Sequence, residues 1–174
     1  MMRSNRLLRA SILLVQVFRI VNAVAVVLFI ATLIATLPGA ELIETRLVRK
    51  YGSAINAGSV VVFMQVTMLL ALPIGYAIER LLIALRAILR TVEEDEPFAL
   101  ANAARLRTIG WMLLIVQVSD LGYGVMAIVA RSLHIEFLAW QPGFTGWIAV
   151  LVAFVLAQVF ERGAAMRDDL AGTV

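Results

Sequence analysis

The stretch RLLIALRAILRTVEEDEPFALANAARLRTIGW, Arg80 to Trp111, decides the fold. It is the longest water-compatible segment of the chain, it holds five of the fifteen basic residues (Arg80, Arg86, Arg90, Arg105 and Arg107), and strongly apolar sequence flanks it on both sides. Such a segment reads as a connector between two pairs of membrane-spanning helices. Leu81, Leu82, Leu85, Ile88, Leu89 and Val92 recur at helical spacing while Arg80, Arg86 and Arg90 fall largely elsewhere on the wheel, so the span before the connector is expected to continue out of the membrane as an amphipathic helix. The acidic run Glu93 to Glu96 then meets Pro97, a residue suited to the first turn of a new helix, and Ala99 to Thr108 reads as an exposed helix leading directly into the next span.

Composition supports this reading. The chain of 174 residues is 62% hydrophobic and only 16% charged, with a mean hydropathy of +0.94. A soluble fold of this length needs more charge to cover its surface. The absence of cysteine excludes disulfides, thiolate metal sites and cysteine nucleophiles. The net charge of +3 is not a nucleic-acid signal, because the arginines gather at the ends of apolar segments, and no direct binding of nucleic acid is expected.

Outward from the connector, the apolar runs place spans at about 10–37, 60–79, 109–130 and 144–160, with a connector at 80–108 and a polar tail at 161–174, all in a single membrane domain. The first run is far longer than the apolar region of a secretory signal, so it is expected to be an uncleaved helix. Pro38 and Gly39 end it. Glu41 to Tyr51, acidic at its start and basic at its end before Gly52, reads as a short helix on the outer membrane surface or as an ordinary solvated loop. Pro73 is expected to kink the second span, and Ala71 with Gly75 forms a small-xxx-small pair for close helix packing. Trp111 sits where an interfacial tryptophan belongs, Arg131, His134 and Glu136 fall in a short outer loop, and Trp140, Pro142 and Trp147 mark the return into the membrane. With both termini inside, ten arginines lie on the inner segments against four basic residues on the outer loops, which orients both ends to the cytoplasm. The expected fold class is all-α: a polytopic four-helix transmembrane bundle with a cytoplasmic helical connector, in a cytoplasmic (inner) membrane.

Two stretches echo each other, LLVQVFRI (Leu13 to Ile20) and LIVQVSDL (Leu114 to Leu121). Gln16 matches Gln117, and Arg19 matches Asp120. The other two spans end alike, in Ile78, Glu79, Arg80 and in Phe160, Glu161, Arg162, so each half holds two spans inserted in the same direction. Equivalent positions in parallel halves lie at similar depth. An isolated charge inside a bilayer costs on the order of 3 kcal/mol or more, so Arg19 and Asp120 are expected to meet between spans one and three, with Gln16, Asn22 and Gln117 satisfying their remaining groups.

At the connector and the tail the chain resembles the bacterial four-span membrane family catalogued as domain of unknown function 2975. The connector carries the pattern in Pro97, Phe98, Asn102, Arg105, Leu106, Arg107, Ile109, Gly110 and Trp111, and the tail carries it in Phe160, Arg162, Gly163, Arg167, Asp168, Asp169, Gly172, Thr173 and Val174. Glu96 stands where a small residue often precedes the Pro-Phe pair. The family has no established activity. Its members are often encoded beside a small helix-turn-helix regulator, and the resemblance therefore implies a membrane partner for a transcription factor.

Two functions follow as expectations. One is a regulatory or interaction protein that offers a protein partner a cytoplasmic face made of Pro97, Phe98, Asn102, Arg105, Arg107, Arg162, Arg167, Asp168 and Asp169; the nearly balanced charges of the connector suit protein better than DNA. The other is a subunit of a small transporter or channel that uses Arg19 and Asp120 and assembles as a homo-oligomer, because four spans enclose little volume. An enzyme is not expected. The single histidine, His134, has no second histidine or cysteine with which to hold a metal, the four-carboxylate run reads as a solvated turn, and Ser11, Ser59 and Ser119 have no base at recognisable spacing. Neither a cofactor nor a phosphate-binding loop is expected, since Gly122 and Gly124 lie inside a span.

Overall fold

The computed structural model describes the backbone of residues 2–52, 56–132 and 140–171, and side chains within 6–52, 56–132 and 140–167. Helix α1 spans Met2–Thr36, α2 Ala40–Tyr51, α3 Ala57–Glu93, α4 Leu100–Ser132 and α5 Thr145–Ala171. All but α2 are long and apolar enough to cross a membrane.

Local chemistry sets the boundaries. Gly52 ends α2 at φ +68°, its N–H returning to the Val48 carbonyl, and Asn56 caps α3 by accepting from the Ser59 N–H at 3.1 Å. Helix α3 runs unbroken through Pro73 and out along the amphipathic stretch, as the periodicity predicts. It stops at the acidic run. Asp95 adopts φ +58° while its N–H bonds the Val92 carbonyl and the Glu96 N–H bonds the Thr91 carbonyl, which together make a Schellman cap. Four adjacent acids thus serve a turn with an aspartate in the position glycine usually takes. Pro97 lies in this turn and not in the first turn of a helix, because α4 starts only at Leu100. The polar tail is largely helical: α5 continues to Ala171, well past the apolar stretch.

The interior is made of small side chains and the surface of large apolar ones. Ala77, Ala84, Ala103, Ala130, Ala157 and Ala164 are buried, whereas Leu13, Phe18, Val24, Leu28, Leu69, Ile128, Leu151 and Val155 are exposed. Water would penalise such a surface, but lipid does not, and small residues let helix backbones approach where no hydrophobic force separates protein from solvent. The distribution matches a chain built for a bilayer.

The long helices do not close into the expected bundle. Helix α1 packs along α3, α3 along α4 and α4 along α5, with α2 against α3; among the described residues no other pair packs along its length. The result is an open row. Helix α1 turns polar groups toward α3 while Leu14, Val17, Val21 and Val24 remain exposed.

Helix α5 is also set low against α4. The Arg107 guanidinium reaches Glu161, the Trp111 ring meets Phe154 edge-on at 5.4 Å between centroids, and the Gln117 amide lies directly on Gly146 near the start of α5. Roughly four turns of α4, from 118 to Ser132, therefore extend beyond the start of α5.

Candidate functional site

Among the described residues, three polar assemblies along the row contain a charged side chain. The first closes its connector end and centres on Asn102, which is 0% exposed. Its amide nitrogen donates to the Thr91 hydroxyl at 2.7 Å and to the Pro97 carbonyl at 2.9 Å, while its oxygen accepts from Arg105 Nη1 at 2.8 Å. Arg105 also donates to the Ala87 carbonyl at 3.2 Å. One buried side chain thereby ties the last turns of α3, the turn and the start of α4. Phe98 extends the assembly to α5, with its ring 5.4 Å from that of Phe160 and in contact range of the space beside Gly163. Arg107 pairs with Glu161 at 2.9 Å, and Gly110 leaves room for the Phe154 ring, which a Cβ there would meet at 3.0 Å. The residues that carry the connector pattern are thus largely occupied with one another. Of the expected partner face, Asn102 is buried and Arg105 and Pro97 are partly buried, which removes Asn102 from any docking role. Phe98, Arg107, Arg162 and Arg167 are exposed, as are Arg90 and Glu93 to Glu96; the side chains of Asp168 and Asp169 lie outside the described residues.

The second assembly joins α1 to α3. Arg19 donates from Nε and Nη2 to Glu79 Oε1 at 2.8 and 2.5 Å, with the two side chains 25% and 32% exposed. Asn22 donates to the Gly75 carbonyl at 3.0 Å, beside the point where Val26 occupies the space a Cβ on Gly75 would need. One turn nearer the N-terminus of α1 than Arg19, Gln16 Oε1 is buried without a partner, and so is Arg86 Nε on α3.

The third lies on α4. Asp120 accepts from the Trp140 indole N–H at 3.2 Å, and the indole ring rests on Gly124, where a Cβ would meet it at 2.6 to 2.8 Å. Trp140 thus packs beside the part of α4 that α5 does not reach. Asp120 lines a cleft between α1, α3 and α4 together with Phe29, Thr67, Leu70, Ser119 and Tyr123.

The expected pairing of Arg19 with Asp120 is therefore corrected: Arg19 binds Glu79, and Asp120 binds Trp140. Asp120 lies at the level of Phe29, roughly three turns along α1 from Arg19, while Arg19 lies at the level of Glu79, so the two charges do not share a depth. The echo between the halves does not extend to packing, for Glu79 pairs with the arginine of its own half at the position matching Asp120, whereas Glu161 pairs with Arg107 of the connector. Gln16 and Gln117 are likewise separated, one buried against α3 and the other against Gly146. Sequence reasoning noticed Glu79 only as part of the echo. Its depth was the missed signal, since Arg19 and Glu79 stand at comparable distances from the connection, residues 37–56 with α2 inside it, that joins α1 to α3. His134 and Glu136 lie outside the described residues. Among the described residues no group of three or more histidine, cysteine or acidic side chains could hold a metal ion.

Residues 53–174 match the family described as protein of unknown function (DUF2975), so the match takes in α3, α4, α5 and the whole connector clasp. No curated protein and no solved structure matches the chain.

Proposed function

The chain belongs to the DUF2975 family of proteins of unknown function, and from that premise we propose that it is a multi-pass membrane protein whose connector end is a rigid cytoplasmic platform for a protein partner. The observation that carries this reading is the division of labour at that end. Asn102, Arg105 and Gly110 are spent on holding α3, α4 and α5 together, while Arg90, the acids Glu93 to Glu96, Phe98, Arg107, Arg162 and Arg167 stay exposed on the same end. A platform with both signs of charge and an exposed aromatic ring suits a protein surface better than a phosphate backbone. A small helix-turn-helix regulator is the partner class that family association suggests. Both termini and the connector face the cytoplasm in this reading, on the strength of the arginine distribution.

The transporter or channel reading that uses Arg19 and Asp120 has no such support, because those residues belong to different assemblies and share no cavity among the described residues.

Crosslinking in native membranes followed by affinity recovery tests the proposal. The intact chain is expected to recover a small DNA-binding protein, and the joint replacement Phe98→Ala, Arg162→Ala, Arg167→Ala to lose it while the protein still inserts. Recovery of the protein alone, or recovery of the regulator undiminished by the triple replacement, overturns the proposal.

A further inference from the structure

The cleft between α1, α3 and α4 has a volume of about 260 Å³. Its walls are chiefly apolar, with Leu70, Ile74 and Val116 joined by the rings of Phe29 and Tyr123, and Asp120 is the one acidic group among its lining residues. No basic residue lines it. The ion pairs among the described residues use other partners, Arg19 with Glu79 and Arg107 with Glu161, so Asp120 has no cation partner among the described residues. What holds it is the Trp140 indole, which bonds Oδ1 and fixes the carboxyl group against the cleft.

A carboxylate in apolar surroundings is costly without a positive charge nearby. The composition of the walls decides which kind of cation can supply one. A small metal ion needs six or more oxygen ligands to replace its hydration shell. This cleft offers few: Asp120, and the hydroxyls of Thr67, Ser119 and Tyr123, of which Thr67 already donates to the Phe63 carbonyl. A quaternary ammonium ion carries its charge inside alkyl groups and asks for the opposite surroundings, apolar walls, aromatic faces and one counter-charge. Phe29 and Tyr123 supply the rings, and the volume limits the occupant to the small end of organic ligands.

We propose that the α1–α3–α4 cleft binds a small lipophilic cation, with Asp120 as its counter-ion and Phe29 and Tyr123 as its aromatic walls. This inference is independent of the platform at the connector end and would survive the failure of that reading.

Equilibrium dialysis of labelled benzyltrimethylammonium against the full chain in lipid nanodiscs, with empty nanodiscs subtracted, tests it. Saturable binding to one site per chain is expected, weakened at least about tenfold by Asp120→Asn. That replacement keeps the oxygen that accepts from Trp140, and thermal melting verifies that the fold is intact. A second variant, Tyr123→Leu, removes a ring without touching the charge and is expected to weaken binding several-fold. Neopentylbenzene, the neutral isostere with carbon in place of nitrogen, is expected not to compete. Absence of saturable binding, equal binding by the Asp120→Asn protein, or displacement by sodium in preference to other quaternary ammonium ions overturns the proposal.

Discussion

Replacing Asn102 by alanine removes two donors and an acceptor at once and leaves the Thr91 hydroxyl, the Pro97 carbonyl and the Arg105 guanidinium each short of a partner. Each buried group left unsatisfied costs about 1 to 3 kcal/mol, so Asn102→Ala is expected to lower the melting temperature of the detergent-solubilised protein far more than replacement of exposed Arg162. An unchanged melting temperature would mean that the clasp does not hold the connector. The Arg19 and Glu79 pair follows a different rule. Removing one partner strands a charge, whereas removing both removes the cost as well, so Arg19→Leu is expected to destabilise the protein more than the combined Arg19→Leu, Glu79→Leu replacement. Thermal melting of the two proteins decides it, and equal or greater loss in the double variant contradicts the pairing. At this scale the sequence identified which residues carry unusual chemistry but not whom they meet. Arg19, Asp120 and Asn102 stand out by type and position alone; their partners depend on which helices are neighbours, and residue types do not carry that information.

The helices were legible because their start and stop signals are local. The apolar runs, the glycine stop at Gly52, and the amphipathic continuation of α3 all read directly from neighbouring residues. The exact stop of α3 was not legible, since a left-handed turn normally advertises itself with glycine and here uses Asp95 at φ +58°. That conformation suits glycine better and β-branched residues worse, so Asp95→Gly is expected to be tolerated or stabilising by a few tenths of a kcal/mol, and Asp95→Val to cost about 1 to 2 kcal/mol. Denaturation of both variants in the same detergent separates them; a glycine variant less stable than the valine one would show that the aspartate side chain, not the backbone, sustains the turn. The extension of α5 to Ala171 escaped prediction for a related reason, because apolar periodicity marks where a helix meets lipid and is silent once the helix leaves it. The low setting of α5 against α4 depends on packing at Gly110, Gly146 and Gly163, and at Gly124 on the Trp140 ring that fills the space α5 leaves.

Whether four spans form a closed bundle or a row is a property of the whole molecule, and no single span encodes it. Lipid-facing and helix-facing surfaces in a membrane are both apolar, so hydropathy cannot distinguish a helix with two neighbours from one with a single neighbour; only the size of the side chains on each face does. Helix α1 meets α3 where Gly75 lets Val26 approach, and it presents large aliphatic residues elsewhere. The chain has no cysteine, so engineered pairs can be read without background. A Cβ built on Gly75 lies 3.7 Å from the Cβ of Val26, inside the 3.5 to 4.5 Å range of a disulfide, and the Val26→Cys, Gly75→Cys protein is expected to oxidise readily to an intramolecular bridge. The Arg19→Cys, Asp120→Cys protein is expected to stay reduced under the same conditions, because Asp120 stands at the level of Phe29, roughly three turns along α1 from Arg19. A closed bundle that brought α1 against α4 at matched depth would reverse the second result without altering the first. Oxidation monitored by the mobility of each intact chain on a denaturing gel therefore tests the arrangement directly, and rapid bridging of the second pair would replace the row with the closed bundle.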